Sequence, residues 1–559
     1  MRRRQVAVLV ALVVALGSGC GQAGSPSSVA AQPAASAPSA SSPTPPVIVL
    51  PPVLAVESPA GRAEIALDVP PLKDMLEAAA ASGLRVTHDQ IRPLPIGATE
   101  VTWTAWSGAP GASAAQFTRR AYVYVFPFGQ TPVGWSQKHN STAGNHASKI
   151  ARDSAGGVHV AWLEDDKPGS GVFYRRGAHD PATGAVTWET APIRVSDDRA
   201  SFLALEASAN AVHLAWYGRE RIWYRRLVRA GGAWRFDPIR DTGARSGSAW
   251  DTGPDIGVRG DDEIHVLGYG GQYALSTDGG ARWRVEQVPW PGGEKKNPGM
   301  AVDALGNAHV VFILKVRTPA GGFSGGRPSG GYWQLRYVRR QAQGGWTDAH
   351  DALGGTPQWA DRGERWDTLA DWPDIAVDGR GDVHVAFHGT ANTGIFGRDE
   401  PFYVRRPSRG PGAWGGWEQP QALHPVNRPA GHSYGFAPSL SLDPAGDAVV
   451  AVVFFARPDL PEHVFDSDAV VLRGGRIVGA PVPLSRMAET ARAAGRDGNA
   501  LSTWFPTAAP RLYRGPDGRA WLDVLESAAP PEAHRSPTYV IYHRVDVTDR
   551  VGPGTPAPR

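Results

Sequence analysis

The chain of 559 residues carries 57 Lys and Arg against 54 Asp and Glu, a formal net charge of +3, with 67 Gly, 49 Pro, 20 Trp and one cysteine. So balanced a charge argues against a protein that holds nucleic acid through its phosphates, which needs a basic excess. A single cysteine rules out an intrachain disulfide, and the Gly, Pro and Trp content suits a turn-dense all-β chain better than a helical one.

The N-terminus reads Met1-Arg2-Arg3-Arg4, then an apolar run from Val6 to Leu16, then small residues up to Cys20. This is the layout of a secretory signal peptide, and the run is too short to span a bilayer as a stable helix. Arg2, Arg3 and Arg4 carry the whole positive excess, so the chain after residue 19 is close to neutral. Gly17-Ser18-Gly19-Cys20 resembles the end of bacterial lipoprotein signals, where the cysteine becomes the lipidated first residue. The resemblance implies a signal peptide over residues 1–19, acylation at Cys20, and an exported protein tied to the cell envelope by its lipid alone. Residues 20–60 are mostly Ala, Ser and Pro, which bury too little apolar surface to offset ordering entropy, so a disordered tether is expected. Residues 61–99 form a lead-in, with one short helix expected over Asp68 to Gly83: Pro70 and Pro71 suit its first turn, and Leu72, Met75, Leu76 and Ala79 share a face.

From Glu100 the apolar period changes to two, and a repeat becomes visible. Its second strand reads G-V-H-V-A-W at His159, A-V-H-L-A-W at His213, E-I-H-V-L-G at His265, N-A-H-V-V-F at His309 and D-V-H-V-A-F at His384. Copies at Val449 and Trp521 lack the histidine. Each repeat adds a third strand ending in an aromatic and arginine, at Tyr174, Tyr224, Tyr337, Tyr403 and Tyr542, and a fourth opening with Trp188, Trp234, Trp283, Trp346 or Trp417. Many repeats of four short antiparallel strands predict an all-β fold, a β-propeller, over residues 100–548. The last repeat supplies three strands and the segment at Trp135 matches a fourth, so pairing the two hides the seam and gives seven blades, with eight or six as alternatives. The strands Val101–Trp106 and Ala121–Phe126 fall outside this count. A disordered tail is expected over residues 549–559.

Ser276-Thr277-Asp278-Gly279-Gly280-Ala281-Arg282-Trp283 fits S-x-D-x-G-x-x-W and resembles the Asp-box, or bacterial neuraminidase repeat, of sialidase-like proteins. The resemblance implies their propeller fold, with Asp and Gly making a tight turn and Trp packing into the blade. It implies no activity. Sialidases use an arginine triad, a Tyr–Glu nucleophile pair and an Asp acid/base; Ile91-Arg92-Pro93-Leu94-Pro95 is the nearest segment to their first arginine motif, and its proline spacing differs.

Five histidines, one per blade, lie too far apart around a ring to share an ion, so they read as scaffolding, and neither a metal site nor a cofactor is expected. The arginines after the third-strand tyrosines read as stems covering aromatic faces. Ligand binding is better sought on the face where the second-to-third and fourth-to-first connections emerge, because those are long. The residues there suited to a sugar, rings for its apolar faces and charged groups for its hydroxyls, are Trp250, Asp251, Trp359, Asp361, Arg362, Glu364, Arg365, Trp366, Asp367, Trp372, His388, Arg398, His432, Tyr434 and Trp504. No phosphate loop, dinucleotide fingerprint, metalloprotease motif or nucleophile elbow is present. The expectation is a monomeric, envelope-anchored propeller binding a glycan or an envelope protein without catalysis. A glycoside hydrolase or polysaccharide lyase is one alternative, and a protein-interaction scaffold is another.

Overall fold

The structure is a computed structural model that describes residues 53–58, 64–66, 73, 77, 80, 84–90, 93–107, 115–126, 129–136, 141–142, 147–164, 171–180, 185–196, 200–245, 253–290, 295–317, 331–347, 351–352, 371–390, 399–423, 435–456, 465–485, 502–529 and 538–552. The signal, Cys20, the tether and the end of the tail lie outside them. The chain divides into two compact units, residues 1–125 and 126–559.

In the first unit Val53–Glu57, Ala115–Phe126, Gly97–Ser107 and Leu84–His88 form a four-stranded sheet in that order, and Glu64–Ile65 pairs with Leu94–Pro95. The two strands left over from the blade count therefore belong to this separate sheet. Of the expected helix, Lys73, Glu77 and Ala80 are described and helical.

Among the described residues, the period-two sequence of the second unit folds into seven antiparallel sheets of four or five strands and a two-stranded hairpin, Ser408–Gly410 with Ala413–Trp414. Blade 1 is Ile150–Arg152, Val158–Leu163, Val172–His179 and Val186–Trp188. Blades 2 to 6 begin with Ser201–Ala207, Asp255–Arg259, Lys295–Val302, Asp371–Val377 and Gly435–Leu442, each followed outward by its second and third strands. Blade 7 is Ser502–Ala508, Ala520–Ala529, Thr538–Asp546 and, outermost, Gln130–Ser136 from the start of the unit, with Tyr539 opposite Trp135. First strands neighbour one another in succession, and blade 7 packs back on blade 1, where Ser148 Oγ donates to the Ala508 carbonyl at 2.9 Å. The second unit is thus a closed seven-bladed β-propeller.

Each blade buries both faces, so one apolar layer fills every junction. Leu163 and Tyr174 meet Leu203 and Leu214 between blades 1 and 2, and Ile150, Val160 and Trp162 meet Leu525 and Val540 at the seam. Each such side chain contributes about 1.5–3 kcal/mol on burial.

The histidines have the scaffolding role read from the sequence. In blade 1 His159 Nε2 lies 3.2 Å from Asp153 Oδ2, and Nδ1 lies 2.6 Å from the Tyr174 hydroxyl. A carboxylate only accepts, so Nε2 carries the proton and Nδ1 accepts from the tyrosine. Asp153 Oδ1 meanwhile accepts the Ala155 and Gly157 amides and holds the turn between the first two strands. His309 with Asp303 and Tyr337 repeats the unit in blade 4, and His384 with Asp378 and Tyr403 repeats it in blade 5. Burial holds His159, His213, His265 and His309 below the ordinary histidine range. The Asp-box makes its expected turn: Ser276 Oγ accepts the Gly280 amide, Asp278 Oδ1 accepts the Arg282 amide, and Trp283 packs edge-on at 5.1 Å against Tyr224 of blade 2.

Candidate functional site

The first strand of every blade starts, and its second ends, on one side of the ring, here the entry side; the glycine turns between first and second strands define the turn side. On the axis lies a narrow cavity of about 70 Å³ to which all seven blades contribute, among them Ser148, Glu206, Asp255, Met300, Asp374, Leu440 and Pro510. Lys149, fully buried beside it, donates through Nζ to the Ala147 carbonyl at 2.6 Å. Burial pulls its ammonium down to about 7, against the pull of Asp255 and Asp374. Burial pushes Asp374 up to about 7 and Asp255 well above the carboxylate range.

Both aspartates are staples between blades. Asp255 accepts the amides of Ile256 at 2.8 Å and Met300 of blade 4 at 2.6 Å; Asp374 accepts those of Ile375 at 2.8 Å and Leu440 of blade 6 at 2.6 Å. Sequence reasoning misses this centre, although a signal exists in the recurring Pro254-Asp255-Ile256, Pro298-Gly299-Met300, Pro373-Asp374-Ile375, Pro438-Ser439-Leu440 and Pro506-Thr507-Ala508. A proline inside a strand leaves a ladder bond unmade and marks a bulge. The register shifts at Lys296/Gly299, Asp371/Asp374, Phe436/Ser439 and Trp504/Thr507 fall at four of these prolines.

Asn297, Trp372 and Phe505, each just before such a proline, have φ of 49°, 46° and 48°. Bulky side chains avoid this left-handed region, at a cost of about 1–3 kcal/mol each. The bulges of blades 5 and 7 nonetheless bring Trp372 and Phe505 to 5.3 Å between ring centroids, across blade 6. Phe454 and Phe465 of blade 6 pack beneath them, and His388 lies edge-on to Trp372 at 6.0 Å. The result is a half-buried aromatic cluster at the entry-side mouth.

Of the residues singled out from sequence, the structure brings Trp372 and His388 together and places the Trp504 backbone in blade 7 opposite Ser527. Trp250, Asp251, Trp359, Asp361, Arg362, Glu364, Arg365, Trp366, Asp367, Arg398, His432 and Tyr434 lie outside the described residues.

Asp378, Asp382 and His384 offer ligand atoms within 4.8 Å of one another. Most of those atoms are already engaged, and His384 Nε2, which makes no hydrogen bond among the described residues, faces Asp378 Oδ2 at 3.4 Å. Asp382 accepts from Arg405 at 2.9 Å and from the Ser408 amide at 2.6 Å, Asp378 holds its turn, and His384 meets Tyr403. The trio is the blade 5 copy of the histidine scaffold with an added inward arginine.

On the turn side a cavity of about 460 Å³ opens between blades 6, 7, 1 and 2, lined by Arg152, Glu206, Pro444, Arg511, Tyr513 and Arg514 among others. Sequence reasoning points only to the opposite face.

No protein-family model matches the chain, and no curated protein matches it in sequence. Solved structures with a similar fold include a polysaccharide lyase, Uly1, at 12% identity over 72% of this chain and 90% of that one, with a TM-score of 0.39. A protein of unknown function from Dyadobacter fermentans DSM 18053 matches at 13% identity over 74% and 99%, with a TM-score of 0.38. The NanB sialidase from Streptococcus pneumoniae matches at 10% over 83% and 86%, with a TM-score of 0.34. The class of the protein, a seven-bladed β-propeller, rests on its own sheet order.

Proposed function

We propose that this is an envelope-anchored propeller that binds a carbohydrate at the entry-side mouth without transforming it, and that acylated Cys20 is the anchor. The observation that carries the reading is the Trp372–Phe505 pair, two rings on left-handed backbone meeting at 5.3 Å over the mouth. Strain at two equivalent bulges is retained where the surrounding structure over-determines it, which is characteristic of binding sites. Aromatic faces cover the apolar face of a sugar ring, and His388 beside Trp372 supplies a polar edge. The carboxyls beneath, Asp255 and Asp374, each accept two backbone amides and staple one blade to the next, a structural use that favours binding over hydrolysis.

A glycan array probed with the chain from Cys20 onward tests the reading. Retention of a glycan, lost in Trp372→Ala and followed by recovery of the glycan intact after incubation, is the expected result. Retention of no glycan together with capture of a defined protein partner would overturn it in favour of a scaffold, and cleavage of the bound glycan would replace it with the hydrolase or lyase alternative. Loss of membrane partition in Cys20→Ser tests the anchor.

A further inference from the structure

The turn-side cavity has features of a second site. Its boundary with the axial cavity is shared by Glu206, Pro510 and Arg511. Once the innermost strand of blade 7 ends at Ala508, the chain crosses to blade 6: the Leu442 amide donates to the Pro510 carbonyl at 2.9 Å, and the Leu512 amide donates to the Leu442 carbonyl at 2.8 Å. This clamp fixes the backbone on both sides of Arg511 and sets the residue at the edge of the cavity.

The arginines around the cavity differ in how they are used. Arg152 forks onto Asp523, with Nη2 2.8 Å from Oδ1, and Arg514 forks onto Asp443 at 2.6 and 3.0 Å. Arg511 is exposed, and among the described residues no hydrogen bond or ion pair engages its guanidinium. Pro444, Pro510, Leu512 and Ala151 supply apolar wall, and the half-buried Tyr513 ring is backed by the Arg152 guanidinium at 4.4 Å. A cavity of this size, mostly apolar with one uncommitted charge, has the form of a small-molecule site.

We propose that the turn-side cavity binds a small organic anion, its negative group on Arg511 and its apolar body against Tyr513, Pro510 and Pro444. Glu206 governs the charge there. Burial pushes its carboxyl up to about 7, and Arg511 pulls it the other way. Below this pH Glu206 is neutral and the Arg511 charge is open to a ligand; above it the carboxylate competes. The other titratable groups around Glu206 are His213 opposite it on blade 2 and Asp255 of blade 3, which burial keeps neutral, and, along the axial cavity, Asp374 and Lys149, both shifted to about 7 and opposite in charge. Arg152, Asp153 and Arg514 on the remaining walls are each paired. Anion affinity therefore rises as pH falls through about 7.

The test is calorimetric titration of the chain from Cys20 onward with benzoate and with phenyl phosphate, using benzyl alcohol as the uncharged probe. Saturable binding of at least one anion, stronger below pH of about 7, is expected. It should weaken about tenfold or more in Arg511→Gln, the loss of roughly one charge-assisted contact, and be largely kept in Arg511→Lys. Glu206→Gln should keep binding and flatten its pH dependence, and Trp372→Ala should leave both untouched, which separates this site from the entry-side mouth. Equal binding of benzyl alcohol, undiminished binding in Arg511→Gln, or no saturable binding of either anion on the acid side would each overturn the proposal.

Discussion

Arg514 of blade 7 grips Asp443 of blade 6 with two parallel bonds, Nη2 to Oδ2 at 2.6 Å and Nε to Oδ1 at 3.0 Å, and both side chains are buried. Asp443 occupies the turn position that Asp153, Asp303 and Asp378 hold in blades 1, 4 and 5, where each meets its own histidine. Blade 6 has Val449 in place of the histidine, and the arginine of the next blade takes over the carboxylate. A contact within a blade has become a contact between blades. Asp443→Ala should destabilise the protein by about 3–5 kcal/mol, because it strands a buried guanidinium, whereas Asp443→Val combined with Arg514→Leu should recover most of the loss. Urea unfolding of the single and double variants measures both.

Gly280→Ala tests the Asp-box. Its φ is +88°, and a Cβ there would sit 2.2 Å from the Tyr224 ring. Strained backbone and an overpacked contact together should cost on the order of 2–4 kcal/mol. The Trp283–Tyr224 contact at the junction of blades 2 and 3 should loosen with it, visible as a change in near-ultraviolet circular dichroism.

Asp374 predicts a pH dependence. Its folded value, about 7, lies above that of an unfolded aspartate, so the favourable contribution of its protonated form is complete below about pH 4 and is lost as pH rises through about 7. Asp374→Asn should therefore gain stability relative to the wild type as pH climbs across that window, by up to roughly 1.4 kcal/mol for each pH unit crossed, less whatever Lys149 returns. Denaturant midpoints of both proteins from pH 4 to 8 decide the matter; parallel profiles would refute the assignment.

Gly134 sits in the strand that closes the ring, and a Cβ there would meet the Trp162 ring of blade 1 at 2.4 Å. Gly134→Val should wedge the seam open, lower the melting temperature and speed proteolysis within 126–136 before the other blades are cut. Uniform cleavage across all blades would show that the seam is no weaker than the other junctions.

The sequence by itself determined the repeat and the four-strand blade, and it favoured seven blades closed by the Trp135 segment over eight or six. Each of these follows from local alternation and turn chemistry, and the histidines could be read as scaffolding because copies spaced around a ring cannot converge. Only the tertiary structure decided what converges on the axis. Lys149, Glu206, Asp255, Asp374 and Arg511 stand far apart in the chain, and ring closure alone brings them around one cavity. The Trp372–Phe505 pairing likewise needs two bulges from blades 5 and 7 to face each other, a relation no spacing encodes. The arginine at position 511 reads in sequence as one more basic residue in a loop; the backbone clamp onto blade 6 is what sets its charge beside a cavity.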